Sequence, residues 1–340
     1  ASIGKWHSFC DNLAKYFLLQ VVVLLNIVIF LVGLIVLSWS ADRFVYGASA
    51  LAKNIGISPM MIGLTIVAMG SSAPEIVVSA IASANGNMNT AVGNALGSNI
   101  TNIALVLGIT ALVKPLLVSS TTLKRELPAL LIISLIAIGF MFDGELKSYE
   151  GIILLGLFIF VLAMMAWLSL QVDKEDPLVA ETADEIPKGV SNTSALIWIG
   201  VGLVILPLSA HFLVNSAVEI ARYMGISDLV IGLTIIAFGT SLPELAASVA
   251  GVLKGEDDLA LGNIIGSNIF NLLAVLGMPG LIAPGILDPD VYNRDMYVML
   301  GLTLLLFLFS FDLIGKRTIS RTNGFILLAC FIGYQFWLFG

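Results

Sequence analysis

The chain has 340 residues, of which 58% are hydrophobic and 11% are charged, and its formal net charge is −7. Soluble domains are usually about 45 to 50% apolar and about 25% charged, so this composition excludes a soluble globular protein. Uncharged apolar stretches of about 20 residues, the length that spans a bilayer as a helix, indicate an all-α integral membrane protein with ten transmembrane helices. The stretches lie at 17–41, 54–74, 91–113, 127–142, 151–172, 195–210, 229–243, 259–287, 296–311 and 322–339.

Two segments lie outside these stretches. Residues 1–16 carry lysines and scattered aromatic side chains, which predicts an interfacial lead-in to the first span. The segment VDKEDPLVAETADEIPK (172–188) holds six acids against two lysines, a composition typical of a solvated linker with no core of its own. We therefore predict an acidic cytoplasmic linker at 173–194 between two five-helix units, 17–172 and 195–340.

The two units repeat each other at an offset of 169 residues. GLTIVAMGSSAPEIVVS (63–79) lies over GLTIIAFGTSLPELAAS (232–248) with ten of seventeen letters identical, and GNALGSNITNIALVLG (93–108) lies over GNIIGSNIFNLLAVLG (262–277). Because each unit has five spans, an odd number, the second unit enters the membrane from the opposite side. Inverted repeats interrupted by Gly and Pro predict a secondary transporter with a site near the bilayer midplane.

The distribution of Lys and Arg sets the predicted orientation, since cytoplasmic loops carry an excess of these residues. Placing the loops after the odd-numbered spans in the cytoplasm puts most basic residues inside. Both termini are then non-cytoplasmic in the cell (inner) membrane. The basic residues predicted inside are Arg43, Lys114, Lys124, Arg125, Lys174, Lys188, Lys254, Lys316, Arg317 and Arg321.

Each unit carries a glutamate and a proline in the middle of an apolar span. A charged side chain at the bilayer centre costs about 2.5 to 3.5 kcal/mol, and a proline inside a helix costs about 3 kcal/mol, yet Glu75 with Pro74 and Glu244 with Pro243 repeat the combination. Each proline obstructs the backbone bond to the carbonyl four residues earlier. We expect freed carbonyl oxygens in the preceding turn, at a cavity or buried in protein.

Carboxylates, hydroxyls and freed carbonyls are hard oxygen donors, and Ca²⁺ binds about 6 to 8 of them. Two ionised glutamates neutralise one divalent cation, and protons or monovalent cations must replace it when it leaves. Ser98 and Asn102 lie four residues apart, as do Ser267 and Asn271, so each pair shares a helix face and can complete the cation cage. Small residues at the positions Gly93, Gly97, Gly262 and Gly266 allow close helix approach.

GSSAPE and GTSLPE, followed by GNALGSNITN and GNIIGSNIFN, resemble the two alpha repeats of the sodium/calcium exchanger family, within the calcium/cation antiporters and close to its bacterial branch. The resemblance implies exchange of Ca²⁺ for Na⁺ by alternating access, with Glu75 and Glu244 coordinating both ions. Asn271 stands where potassium-dependent exchangers have aspartate, which argues against potassium dependence. The further implied ligands are Asn102, the hydroxyls of Ser71, Ser72, Ser98, Thr240, Ser241 and Ser267, and the backbone carbonyls of Ala68 and Ala237.

Other functions remain open from the sequence. Ca²⁺/H⁺ or other cation/proton exchange would use the same site, and a sodium-coupled symporter of an organic solute would share inverted repeats and broken helices. An intramembrane serine hydrolase built on Ser71 or Ser72 would need a base, and neither His7 nor His211 lies in a central motif. We therefore expect no enzymatic activity and no cofactor, and as partners only the transported Ca²⁺ and Na⁺ and the bilayer. We expect a monomer and no nucleic-acid partner.

Overall fold

The fold was obtained as a computed structural model and is helical almost throughout. It describes residues 2–57, 62, 66, 68–119, 122–169, 186–255, 257–311 and 317–339. The α-helices of the first unit are α1 Ser2–Asn54, α2 Ala68–Ser71, α3 Ala73–Ala84, α4 Met88–Ile100, α5 Leu107–Val113, α6 Leu127–Met141 and α7 Ser148–Ser169. Those of the second unit are α8 Asn192–Met224, α9 Asp228–Ile231, α10 Ala237–Thr240, α11 Leu242–Lys254, α12 Asp257–Phe270, α13 Gly277–Ile282, α14 Met296–Ser310 and α15 Arg321–Phe339.

Wider π-helical turns interrupt these helices at corresponding places in the two units. The turn at Thr122–Glu126 corresponds at an offset of 169 to that at Val291–Asp295, and Thr101–Val106 corresponds to Asn271–Val275 within one residue. A fifth described π turn, Gly232–Ile236, joins α9 to α10. Single π turns of this kind are frequent at functional sites.

In the described part of the chain, four short β-strands join the two units. Strand β1 (Leu116–Leu117) pairs antiparallel with β4 (Thr318–Ile319), and β2 (Glu145–Leu146) pairs antiparallel with β3 (Gly285–Ile286). Each pair takes one strand from each unit. Backbone hydrogen bonds therefore hold loops of the first unit against loops of the second.

The prediction of a multi-pass membrane protein is confirmed. Among the described residues, seven helices are long and apolar enough to cross a bilayer, or eight if the bent pair Asp228–Thr240 and Leu242–Lys254 is one span. The predicted span 127–142 forms the 15-residue helix α6. Much of the predicted span 54–74 lies outside the described residues. The number ten stays a prediction.

The first and sixth predicted spans are longer in the structure than their apolar runs. Helix α1 continues to Asn54 and α8 to Met224, past the internal Pro207. Helix α1 also starts at Ser2, so residues 2–16 of the predicted lead-in 1–16 belong to the same helix as the first span. The predicted linker falls mostly on residues 170–185, which lie outside the described parts of the chain.

Helices α1 and α8 pack along each other. The rings of Trp39 and Trp198 meet edge to face at 6.1 Å, and a Cβ atom built on Gly202 would lie 2.5 Å from Cβ of Phe44. A hydrophobic cluster joins these two helices to α3, and a larger one joins α4, α6, α12 and α14.

Candidate functional site

Both glutamates follow a helix break. Ser72 separates α2 from α3, Ser241 separates α10 from α11, and the two serines have nearly the same backbone angles, φ −90° with ψ 4° and φ −85° with ψ 2°. Each proline occupies the first turn of the helix after the break, where its missing N–H costs nothing. Glu75 and Glu244 lie in these same first turns, where the helix dipole favours a negative charge.

Side chains from both units meet around the glutamates. Both carboxyl groups are buried, with 1% of each residue exposed, and that of Glu75 is within electrostatic range of Glu244 and Thr240. The Oγ of Ser71 lies 3.3 Å from Oγ of Ser267, which donates to Oε1 of Glu244 at 3.5 Å. Thus α2, α3, α10, α11 and α12 contribute polar side chains of both units to one centre.

Several of the predicted ligands have buried oxygen atoms without a hydrogen-bond partner in the described part of the chain. A buried polar atom left unpaired costs about 1 to 3 kcal/mol, so native interiors contain few of them. Among the described residues, seven of the sixteen such atoms belong to predicted ligands. These seven atoms are Oε2 of Glu75 and Glu244, Oδ1 of Asn102 and Asn271, and Oγ of Ser72, Ser98 and Ser241.

The two asparagines lie in π turns. The N–H of Leu107 donates to the carbonyl of Asn102, and the N–H of Leu276 donates to that of Asn271 at 2.9 Å, both five residues apart. The wider turn sets the side chain of each asparagine at an angle that a regular α-helix would not give. Both side chains are buried, at 1% exposure.

The backbone carbonyl of Ala237 differs from the prediction made from the sequence. The carbonyl of Ala237 accepts a hydrogen bond from the N–H of Ser241 at 3.1 Å and one from the hydroxyl of Thr240 at 3.4 Å. The proline argument predicts that this carbonyl is free, but in the structure it is hydrogen-bonded. The reason is that the helical turn closes before the break. Ala68 is the first residue of α2.

Close approach of α4 to the second unit brings the polar positions together. A Cβ atom built on Gly93 would lie 2.5 Å from the carbonyl oxygen of Leu229, and one built on Gly97 would lie 2.6 Å from Cα of Leu233 and 2.8 Å from Cβ of Ala237. Only glycine allows this distance between backbones, as the small-residue pattern predicts for the first unit. Ser98, which follows Gly97, is thereby held beside the second broken helix. The same small-residue prediction is wrong for Gly262 and Gly266, because a Cβ on Gly262 would meet only Oε2 of Glu126 at 3.9 Å and one on Gly266 would meet no described atom within 4 Å.

One polar residue of this region, Asn94, was not predicted from the sequence. Nδ2 of Asn94 donates to the backbone carbonyl of Glu75 at 3.2 Å and to Oγ of Ser79 at 3.1 Å. The repeat could have identified Asn94, because Asn94 and Ser79 recur as Asn263 and Ser248 in the second unit. Within the described residues, no group of three or more His, Cys, Asp or Glu side chains could hold a metal ion.

Comparison with known proteins decides the family. The family model described as sodium/calcium exchanger protein matches residues 25–167 and 194–340, which covers both units and both glutamate motifs. The chain belongs to the sodium/calcium exchanger family. It is accordingly a membrane transporter, as the resemblance of the two motifs implied.

Relatives extend along nearly the whole chain. CaxA of Alkalimonas amylolytica is 57% identical over 309 residues, covering 91% of this chain and 97% of that protein. The sodium/calcium exchanger MaX1 of Methanosarcina acetivorans is 29% identical and covers 92% of this chain and 98% of its own length. A solved structure of the sodium-calcium exchanger NCX_Mj, soaked with Na⁺ and Sr²⁺, matches with a TM-score of 0.61 and 34% identity, covering 91% of this chain and 97% of that one.

Proposed function

We propose that the protein exchanges Ca²⁺ for Na⁺ across the membrane, at a site built around Glu75 and Glu244. The observation that carries the proposal is the set of buried oxygen atoms from both units that have no partner among the described residues, two of which belong to the buried carboxylates of Glu75 and Glu244. A bound cation would satisfy these atoms and offset the cost of burying two like charges.

The donor set suits hard cations. Every proposed ligand offers oxygen, and Ca²⁺ takes about 6 to 8 oxygen ligands at about 2.3 to 2.6 Å. Two carboxylates supply up to four oxygens and balance one Ca²⁺. The amide oxygens of Asn102 and Asn271 and the hydroxyls of Ser98 and Ser267 add neutral donors. Asn271 contributes no charge, so no additional cation such as K⁺ is needed for balance.

Sodium as the counter-ion is proposed from two considerations. Neutral hydroxyl and carbonyl oxygens around the carboxylates suit Na⁺, a hard monovalent cation that needs no full charge compensation. MaX1 and NCX_Mj, which match this chain over more than nine-tenths of its length, are named sodium/calcium exchangers. The transport experiment distinguishes this proposal from proton-coupled exchange and from sodium-coupled symport of a solute.

Alternating access between ten spans in two inverted repeats is part of the proposal. Strands β1 and β4 lie in the loops after the third and ninth predicted spans. Strand β2 lies in the loop after the fourth predicted span, and β3 lies at the end of the eighth, 259–287, after helix α13 has ended at Ile282. Each strand pair therefore joins two loops on the same membrane side in the inverted arrangement, which supports it. The proposed protein lies in the cell membrane with both termini non-cytoplasmic.

Transport in proteoliposomes tests the proposal. We expect uptake of radioactive Ca²⁺ when vesicles are loaded with Na⁺ and diluted into Na⁺-free buffer, and no uptake with choline inside. Glu75→Gln and Glu244→Gln should each abolish uptake, because the amide keeps the shape of the side chain but removes half of the site's charge. Glu219→Gln is the matched control, since Glu219 is exposed and pairs with Arg222 at 2.9 Å.

Three results would contradict the proposal. Substantial uptake by either site variant would remove the glutamates from the site. Uptake driven equally well by a pH gradient without Na⁺ would assign cation/proton exchange. Sodium-dependent uptake of an organic solute, with no movement of Ca²⁺, would assign a symporter.

A further inference from the structure

We propose that Asn94 and Asn263 are positioning residues and that they hold the two broken helices in different states of the transport cycle. Each carboxamide fixes the broken helix of its own unit in one state of the transport cycle and releases it in the other. The inference rests on the proposed exchange by alternating access. It assigns a role to two residues that are not among the proposed cation ligands.

In the first unit the carboxamide is fully engaged as a donor. Nδ2 of Asn94, on α4, donates to the backbone carbonyl of Glu75 and to Oγ of Ser79, both on α3, and Oγ of Ser79 in turn donates to the carbonyl of Ala91 at 3.2 Å. Asn94 and Ser79 are both fully buried. Because the accepting carbonyl belongs to Glu75, these bonds fix the position of the residue that carries the carboxylate.

In the second unit the same residues do not make these bonds. Asn263 lies at the position of Asn94, and Ser248 at that of Ser79. Nδ2 of Asn263 and Oγ of Ser248 are buried and have no hydrogen-bond partner among the residues that the structure describes. Leaving a buried donor unpaired is unfavourable. Since the residues involved are identical, the difference lies in the conformation of the two units.

Packing on the outer side of the two broken helices differs in the same way. Val78 on α3 is fully buried in the hydrophobic cluster shared with α8. Its counterpart Ala247 on α11 is exposed. At this position the first broken helix is covered by its neighbour, whereas the second is exposed.

In an inverted-repeat transporter, alternating access is largely a movement of one repeat or bundle against the other around a fixed site. Because the two units here are sequence repeats in different conformations, the proposal takes the opposite state to be the one in which they have exchanged those conformations. In that state Asn263 would donate to the carbonyl of Glu244 and to Ser248, while Asn94 would release Glu75. The two asparagines therefore favour opposite states. Removing either donor should shift the population towards the state that the other one favours.

Cysteine labelling in the ion-free protein tests this directly. In a background of Cys10→Ala and Cys330→Ala, a single reporter, Ala247→Cys or Val78→Cys, reacts with a polar maleimide in detergent. Leucine matches asparagine in size but donates no hydrogen bond, so the test variants are Asn94→Leu, Asn263→Leu and the double variant.

The two single variants should act in opposite directions. Asn94→Leu should slow labelling at Ala247→Cys and speed it at Val78→Cys, changing the ratio of the two rates roughly tenfold, the size expected from losing one or two hydrogen bonds. Asn263→Leu should change the ratio in the opposite sense. The double variant should return towards the wild-type ratio, a cancellation that merely structural damage would not produce.

Unchanged ratios, shifts of the two single variants in the same direction, or a double variant shifted as far from the wild-type ratio as a single variant would overturn the proposal. If a leucine variant fails to fold, Ser79→Ala and Ser248→Ala remove one acceptor each and should give smaller shifts with the same opposite signs. Labelling needs no ion, so it is independent of the uptake assay. Wild-type uptake with unshifted ratios rejects the role of the asparagines alone, whereas absent uptake rejects the proposed exchange.

Discussion

A close backbone approach between the two units, at Gly97, gives the most quantitative prediction. In Gly97→Ala the new Cβ would lie 2.6 Å from Cα and 2.7 Å from the carbonyl oxygen of Leu233, where ordinary contacts begin at 3.4 Å. Because both atoms are backbone, α4 and the facing turn must separate by roughly 1 Å. Overpacking of this kind costs about 1 to 3 kcal/mol.

The same separation should weaken ion binding. Ligand distances in metal sites are held within about 0.2 Å, and Ser98 lies next to Gly97, so we expect the half-saturating Ca²⁺ concentration to rise about 10- to 100-fold, as when residues supporting a metal ligand are changed. The measurements are thermal unfolding in detergent and Ca²⁺ dependence of uptake. Gly301→Ala is the control, since a Cβ there meets no described atom within 4 Å. Wild-type stability and affinity in Gly97→Ala would refute the reasoning.

Three further outcomes are expected. Lys114→Met removes the bond of its ammonium group to Asp257 at 2.9 Å and should lower the free energy of unfolding by about 1 to 3 kcal/mol; an unchanged unfolding temperature would contradict this. Arg294→Met leaves the buried Asp295 without its cation and should cost about 3 to 5 kcal/mol, whereas Arg125→Met, at the exposed matching position, should cost less than about 0.5 kcal/mol. Calcium uptake should proceed at the same rate with and without K⁺, and a K⁺ requirement would contradict the charge balance of the proposed site.

The helix breaks and the family could be predicted from the sequence because their causes are local. A proline inside an apolar span obstructs a backbone bond wherever the span packs, and both Pro74 and Pro243 begin a new helix turn. A glutamate at such a place is energetically unfavourable unless it has a function. The repeat places one in each unit, at Glu75 and Glu244. Both are buried within electrostatic range of each other.

Features that depend on contacts between units could not be predicted. The length of α1 depends on its packing against α8, which the apolar run alone does not record. The engagement of the Ala237 carbonyl depends on the conformation of the turn before the break. The different bonding of Asn94 and Asn263 depends on the state of the molecule, since identical letters in the two repeats make different hydrogen bonds.

Locating the ion is the most direct test of the central claim that Glu75 and Glu244 hold the transported cation. Crystals of the protein soaked with Sr²⁺ in place of Ca²⁺ would give an anomalous signal at the bound ion. The account predicts one peak between the two carboxyl groups, within coordination distance of both, that disappears when excess Na⁺ replaces Sr²⁺. A peak that contacts neither glutamate, or one that persists in Glu244→Gln at the same occupancy, would contradict it.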